Sequence, residues 1–347
     1  MAYLTRVADL RKEKQLLLEL LTMNRERSGF PYEKRYEWLY LKNPFGEATA
    51  WIIYDDQKNI PVGTTAVFPR KMLVKGKELL AWNCGDFSIN RRFRTLGIAM
   101  KLRKAAKQCV DEGKVPFLYA HPNDRMVHIH LKVGHKKIAL MKRFALPIDV
   151  SKVLNKTPVQ RTAARVLNPL LKGVLKFKYK KVGEYEFCPA GKANFDYHYR
   201  EICERINREI PIVGLRDETY LTWKFGKHPV LSYEIFNYYQ DNNLTGYVIF
   251  VIENDICYLT EIVCDKDSCF SLLSTFLNAI IQHYPHVKSL STIQQEYNPV
   301  VSTLLEVGFR YREDATSSAI AYSNHTSLVD LVHDGRNWFM NVGDRDA

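Results

Sequence analysis

The stretch Leu79–Ile89, LLAWNCGDFSI, runs without a break into Asn90-Arg91-Arg92-Phe93-Arg94-Thr95-Leu96-Gly97-Ile98-Ala99. The first part is extended and largely apolar, and the second turns through a basic segment containing one glycine. Ile98, Leu102, Ala105, Ala106 and Cys109 then recur at helical spacing up to Gly113, so the order strand, turn, amphipathic helix is predicted. A junction of this kind suits a phosphate. The first N–H groups of a helix lack intrahelical partners and stand at the positive end of its dipole. Arg91, Arg92 and Arg94 add charge, and Gly97 lets a ligand approach the backbone closely.

Outward from this junction the chain repeats itself. Trp38-Leu39-Tyr40-Leu41-Lys42-Asn43-Pro44 matches Trp223-Lys224-Phe225-Gly226-Lys227-His228-Pro229 as W-x-aromatic-x-K-x-P. Each copy continues with an aromatic-rich strand pair expected to break at Gly63 or Gly246. Each later reaches a helix end, Leu131-Lys132-Val133-Gly134-His135 or Leu305-Glu306-Val307-Gly308-Phe309, whose glycine belongs in the left-handed conformation after a helix terminus. Two copies of one α/β unit are therefore predicted, the second shorter by about a loop. The boundaries are 1–150 and 186–347, joined by a connector at 151–185. From Ser151 to Val182 the connector carries nine basic residues (Lys152, Lys156, Arg161, Arg165, Lys172, Lys176, Lys178, Lys180, Lys181) and no acid.

The 347 residues exceed one ordinary domain, and 46% hydrophobic with 25% charged residues is globular composition. The net charge of +12 suits phosphate-bearing ligands, anionic lipid or nucleic acid, but also serves solubility. Seven cysteines without a C-x-x-C spacing suggest neither a disulfide framework nor a zinc site, which fits a reducing cytoplasm. No secretion signal is expected at the charged start, and the most apolar run, Tyr247 to Ile252, is too short to cross a bilayer and reads as a buried strand.

Ile89, Phe93 and Arg94-x-x-Gly97-Ile98-Ala99 resemble the acyl-CoA motif of the GNAT N-acyltransferase superfamily, V-x-P-x-Y-R-x-x-G-I-G/A. The resemblance implies an α/β (α+β) fold of two tandem GNAT-like domains, each a mixed, mostly antiparallel central sheet flanked by helices. It also implies acyl-CoA as cosubstrate, bound by Phe87, Ser88, Ile89, Arg91, Arg92, Phe93, Arg94, Thr95, Leu96, Gly97, Ile98, Ala99 and Asn123, with the diphosphate at the turn and the pantetheine between the fourth and fifth strands. Phe117–Asn123 is similar to the family's fifth strand, Asn123 being its asparagine. Arg91 stands for the usual proline, Thr95 for a glycine and His135 for the closing aromatic. In the second copy Glu261–Ser268 occupies the junction without an arginine cluster or glycine, and its three acids would repel a diphosphate, so one CoA site is expected. Arg216–Pro229 and the tail Trp338 to Gly343-Asp344 resemble tandem members of the superfamily, among them sugar-nucleotide N-acyltransferases of surface polysaccharide synthesis.

Acyl transfer to an amine needs a proton acceptor, donors for the developing oxyanion and a proton for the thiolate. Asp86, just before the turn, is the first candidate base, although a structural carboxylate pairing an arginine is equally open. His121 could share that role. The resemblance assigns the oxyanion donors to backbone N–H groups near Phe87–Ile89. The place of the family's acid tyrosine is His130, whose counterpart Leu304 cannot transfer a proton.

Trp82, Asn83, His228 and Tyr233 are the candidates for acceptor contact. Trp38 and Trp223 read first as core anchors, Tyr233, Phe236, Tyr238 and Tyr239 as one packed strand face, and the Trp338–Asp344 tail as a clip. The expected reaction is acylation of a nucleotide-linked amino sugar bound between the halves, in a cytoplasmic protein for which a monomer is plausible. Two readings compete: an aminoacyl or peptidoglycan-type transferase, and a non-enzymatic protein binding anionic lipid or nucleic acid through the connector. Against the latter, Asn155-Lys156-Thr157-Pro158 and Asn168-Pro169 are expected to interrupt any surface helix, and helix-turn-helix and finger patterns are absent.

Overall fold

The computed structural model describes residues 3–24, 29–152, 154, 157–179 and 181–345. Asn155, Lys156 and Lys180 of the connector, and the side chain of Arg161, lie outside the described residues. The first half runs β1 (Tyr3–Val7), α1 (Lys14–Thr22), α2 (Tyr32–Tyr36), a π-helical turn (Glu37–Leu41), β2 (Thr49–Asp55), β3 (Ile60–Val74), β4 (Lys77–Ile89), α3 (Leu96–Asp111), β5 (Leu118–Ala120), α4 (Asp124–Val133) and β6 (Lys136–Pro147). A connecting helix, α5 (Pro158–Lys178), follows. The second half repeats the order: β7 (Glu184–Pro189), α6 (Tyr197–Glu209), the added strand β8 (Ile212–Gly214), α7 (Glu218–Leu221), a π-helical turn (Thr222–Gly226), β9 (Glu234–Gln240), β10 (Asn243–Glu253), β11 (Ile256–Cys264), α8 (Cys269–His283), β12 (Ser289–Gln295), α9 (Val300–Val307) and β13 (Arg310–Tyr322). A short β14 (Trp338–Phe339) pairs with β8.

All strands join one sheet, whose main path is β1-β2-β3-β4-β5-β13-β6-β12-β11-β10-β9-β7. The closing strands are exchanged. β13 of the second half sits between β5 and β6 of the first, and β6 sits between β13 and β12. Each half thus completes the other around a pseudo-twofold axis, and the fold is the mixed, mostly antiparallel sheet flanked by helices that the sequence implies. The two matched tryptophans mark the same symmetry. Trp38 and Trp223 occupy the two π-helical turns and stack at 4.6 Å and 17°. Each indole N–H donates to the other's carbonyl, at 3.0 and 3.2 Å. They join the halves as core residues: Trp38 is buried in the core under α1, and Trp223 packs against that core and the one under α6.

Gly134 and Gly308 both take the left-handed conformation after α4 and α9, with φ 109° and 114°. Gly63 and Gly246 do not break strands as expected but lie inside β3 and β10. A Cβ on either would press on the neighbouring strand, at Ser88 or Cys264. Phe236 and Tyr238 face the core under α8, whereas Tyr233 and Tyr239 face that under α6, so this cluster serves both sheet faces. The interruption expected at Asn168-Pro169 is also absent: α5 begins at Pro158 and runs unbroken over 21 residues. Pro158 stands at the first helical position, where a missing N–H costs nothing, behind a Thr157/Gln160 capping box. Pro169 is accommodated inside the helix, and Asn168 beside it is bound to Asp149 (2.8 Å) and to the Val150 N–H (2.7 Å).

Candidate functional site

The site begins at the end of β4. Thr64 faces Ser88 and Ala66 faces Gly85, so Asp86 and Phe87 stand opposite the single Thr65 in a β-bulge. Asp86 takes φ 42°, a left-handed conformation that costs a non-glycine residue energy, though aspartate tolerates it better than most. Only Trp82 and Asn83 of β4 pair with β5, so from Cys84 onward the two parallel strands splay apart.

The bulge sends its two side chains to different neighbours. Asp86 is buried against α2 and its turn, accepting from Arg35 Nη1 at 2.7 Å and Tyr40 Oη at 3.0 Å. Phe87 packs with the core under α3, 5.2 Å from the Arg103 guanidinium. Arg103, buried on α3, donates to Thr65 Oγ1 and to the Gly85 carbonyl (3.3 Å). Sequence reading missed this arginine, because at helical spacing it resembles any solvent-facing residue.

At the turn Asn90 N–H is fixed to the Val62 carbonyl (2.8 Å) and its side chain caps a 3-10 turn at Arg91–Phe93. Thr95 caps α3. Arg91, Arg92, Thr95, Leu96 and Gly97 are exposed, while Phe93 is partly buried and Ile98 and Ala99 face the core. A Cβ at Gly97 would meet nothing within 4 Å, so neither packing nor backbone geometry demands glycine here. Arg94 turns back to the Ile89 carbonyl (3.1 Å) and Asn24 (2.5 Å). Ser88 bonds the Leu20 carbonyl (2.6 Å), and Asn123 caps α4 through the Met126 N–H (3.1 Å). Arg94 and Ser88 thus hold the frame of the turn, and Asn123 that of α4. At the equivalent junction of the second half, Asp265 pairs with Arg205 (2.8 Å). Glu261 is not at that surface but wholly buried against Arg216 (2.9 Å), so only Asp265 and Asp267 contribute acidity there.

On the α2 side a cavity of ≈ 1100 Å³ opens between the halves, lined by Asp86, Arg35, Tyr32 and Phe30 from the first and His228, Tyr233, Lys224, Tyr258 and Ser291 from the second, with Arg143, Glu253 and Arg345. Four cations and two carboxylates make it basic. His228 Nδ1 accepts from the N–H groups of Val230 (3.2 Å) and Leu231 (2.9 Å), which places its proton on Nε2. Desolvation, with Lys224 and Arg35 nearby, lowers its pKa to about 3, so the ring is a neutral donor near pH 7. Desolvation raises Tyr233 to about 12, keeping its hydroxyl protonated.

The structure brings Asp86, His228 and Tyr233 together around one cavity; the other candidates point elsewhere. His121 Nε2 lies 3.4 Å from Met340 Sδ. Its Nδ1 is sealed from solvent without a partner, and desolvation, then Arg345, lowers its pKa to about 3, a weak acceptor for a proton. His130 is buried edge-on to His135, ring centres 4.7 Å apart. Desolvation, Arg103 and His135 keep it neutral, so it is not the imidazolium that a general acid needs near pH 7. Asn83 donates to the Asp344 carbonyl (3.1 Å) and Trp82 packs on the core under α3.

Asp344, the end of the tail motif, binds Arg216 (2.7 Å) and lies 3.7 Å from Arg70. The clip therefore fastens both halves and floors the cavity at Val342, Gly343 and Arg345. Among the described residues no group of acidic, histidine or cysteine side chains could hold a metal, and no helix is long and apolar enough to cross a membrane.

No protein-family model matches the sequence, and no curated protein matches it either. Solved structures do. A GCN5-related N-acetyltransferase from Anabaena variabilis superposes with a TM-score of 0.65 at 13% identity over 92% of this chain and 72% of its own. One from Kribbella flavida gives 0.60 at 9% identity, over 92% and 71%. Saccharomyces cerevisiae N-myristoyltransferase, crystallised with myristoyl-CoA, gives 0.58 at 12% identity, over 93% and 79%. At such identities the likeness is one of fold: the chain has the architecture of GCN5-related N-acetyltransferases across nearly its whole length.

Proposed function

We propose that the protein is an acyl-CoA-dependent N-acyltransferase whose acceptor amine binds in the cavity between the halves. One observation carries this reading: β4 stops pairing with β5 after Asn83, lines the cavity at Asp86 three residues on, and leads into a helix start at Gly97 where a missing side chain leaves open space. The residues at the turn fit the diphosphate of acyl-CoA. The main-chain N–H groups at the start of α3, with Arg91 and Arg92 exposed beside them, would hold it. When bound, acyl-CoA supplies an activated thioester.

The chain's own groups do the rest. The bulge presents the main chain near Phe87–Ile89 along the edge that β5 leaves, suited to donate to a developing oxyanion. Asp86 stands at the cavity wall where an attacking ammonium must lose its proton, and Arg35 and Tyr40 orient its carboxylate. His228 Nε2–H and the Tyr233 hydroxyl are donors for the acceptor's polar groups.

The acceptor is an amino sugar linked to a nucleotide: Arg35, Arg143, Lys224 and Arg345 outnumber the cavity's acids, as an anionic acceptor requires, and Tyr32, Tyr258 and Phe30 offer faces for a sugar or base. The test is mass spectrometry of mixtures containing the protein, acetyl-CoA and a panel of nucleotide-linked amino sugars. A product heavier by one acyl group is expected. Absence of product together with absence of calorimetric acetyl-CoA binding overturns the proposal.

A further inference from the structure

Helix α5 packs on the second half through Leu171 and Leu175, and Ala164 is buried as well. Other apolar side chains of the helix face solvent: Val159, Val166, Leu170 and Val174 are 79%, 64%, 64% and 64% exposed. Val166, Leu170 and Val174 lie four residues apart, so they form one continuous stripe over successive turns. Single exposed apolar residues need no explanation, whereas a contiguous stripe marks a surface that something covers. Arg165 and Lys176 stand exposed on the flank of the same helix at i and i+11, whereas Lys172 between them donates to the Pro285 carbonyl (2.8 Å), and no acidic residue occurs anywhere from Ser151 to Val182. An apolar stripe bordered by charge of one sign is what an interface of acyl chains and anionic headgroups accepts.

We propose that α5 lies in the plane of an anionic phospholipid surface, its valine and leucine stripe inserted at the headgroup boundary and Arg165 and Lys176 over the phosphates. At 21 residues the helix offers about 30 Å of contact. The charge bias argues for lipid over a second copy of this chain, which would bring a matching set of cations against the same flank. This inference does not depend on the acyltransferase reading, since the helix lies in the connector and the CoA turn in the first half.

The test is flotation of the full chain with vesicles of one part phosphatidylglycerol to two parts phosphatidylcholine, and with phosphatidylcholine alone. Flotation with the first and little with the second is expected. Val166→Ser/Leu170→Ser/Val174→Ser should abolish it, and Arg165→Glu/Lys176→Glu should weaken it roughly fivefold or more per charge. All substituted side chains are exposed, so melting temperature and acetyl-CoA affinity should stay at wild-type values, which separates failure here from failure of the enzymatic reading. The proposal is overturned if the wild type ignores anionic vesicles, if the serine variant floats equally well, or if sedimentation shows self-association that the serine variant alone removes.

Discussion

Replacing Gly97 by aspartate separates folding from ligand binding at the site on which the functional reading rests. The added Cβ meets no protein atom within 4 Å, and the position is the second of α3. Leaving glycine gains a few tenths of a kcal/mol in helix propensity, and a carboxylate in the first turn gains about 0.5 kcal/mol from the dipole. The variant should therefore melt no lower than wild type, and about 1–2 °C higher. For a diphosphate seated on the same N–H groups, one negative charge about 6 Å from two, at an effective dielectric near 60, costs roughly 2 kcal/mol, or about thirtyfold in affinity. Arg94→Glu would be a poorer probe, because Arg94 also braces Asn24 and the Ile89 carbonyl. Isothermal titration with acetyl-CoA beside a thermal melt reads both effects. An affinity within twofold of wild type would refute a diphosphate site here, whatever the melt shows.

Further outcomes follow from the same geometry. Asp86→Asn leaves Arg35 buried without its ion, so denaturant unfolding should show a loss of about 3 kcal/mol. Arg35→Gln/Asp86→Asn should cost less than the two single variants summed, and strict additivity would show that the pair is not coupled. Gly343→Ala drives a methyl into the Glu261 carboxylate and should destabilise by about 2 kcal/mol or more, whereas Gly97→Ala should not; equal melting temperatures would contradict the tail clip. The buried histidines set an acid limit. His121 and His135 titrate near 3 when folded, through desolvation and neighbouring cations, against an ordinary 6.5. Unfolded chains then bind more protons across that window, so stability falls as pH drops from about 6.5 toward 3. His135→Phe, which copies the packing of Phe309, should flatten the stability slope by up to about 1.4 kcal/mol per pH unit between about pH 4 and 6. An unchanged slope would mean that His135 is not the buried neutral ring described.

Much of the architecture was legible because it rests on local signals. The two W-x-aromatic-x-K-x-P copies, the helix-ending Gly134 and Gly308, and the strand–turn–helix at Leu79–Asp111 each depend on residues a few positions apart. Pro169 misled, since proline reads as interruption unless its place within a helix is known. Asp86 was singled out by its position before the turn, but its partners Arg35 and Tyr40 come from 51 and 46 residues away, and no local pattern announces them. His121 and His130 were chosen by place in a motif; burial, which takes their protons away, is a property of the packed chain. Arg103 carried no signal at all.

Composition, periodicity and the repeat thus determined that two α/β units stand in tandem, that one carries a cationic helix start and that the other does not. Only the tertiary structure decided that the halves trade their closing strands, that Trp38 and Trp223 meet, and that a cavity forms where Asp86, His228 and the tail converge. The division has a physical cause: secondary structure and caps follow from hydrogen bonds and side-chain spacing within one segment, whereas strand exchange and burial depend on which distant surfaces exclude water together.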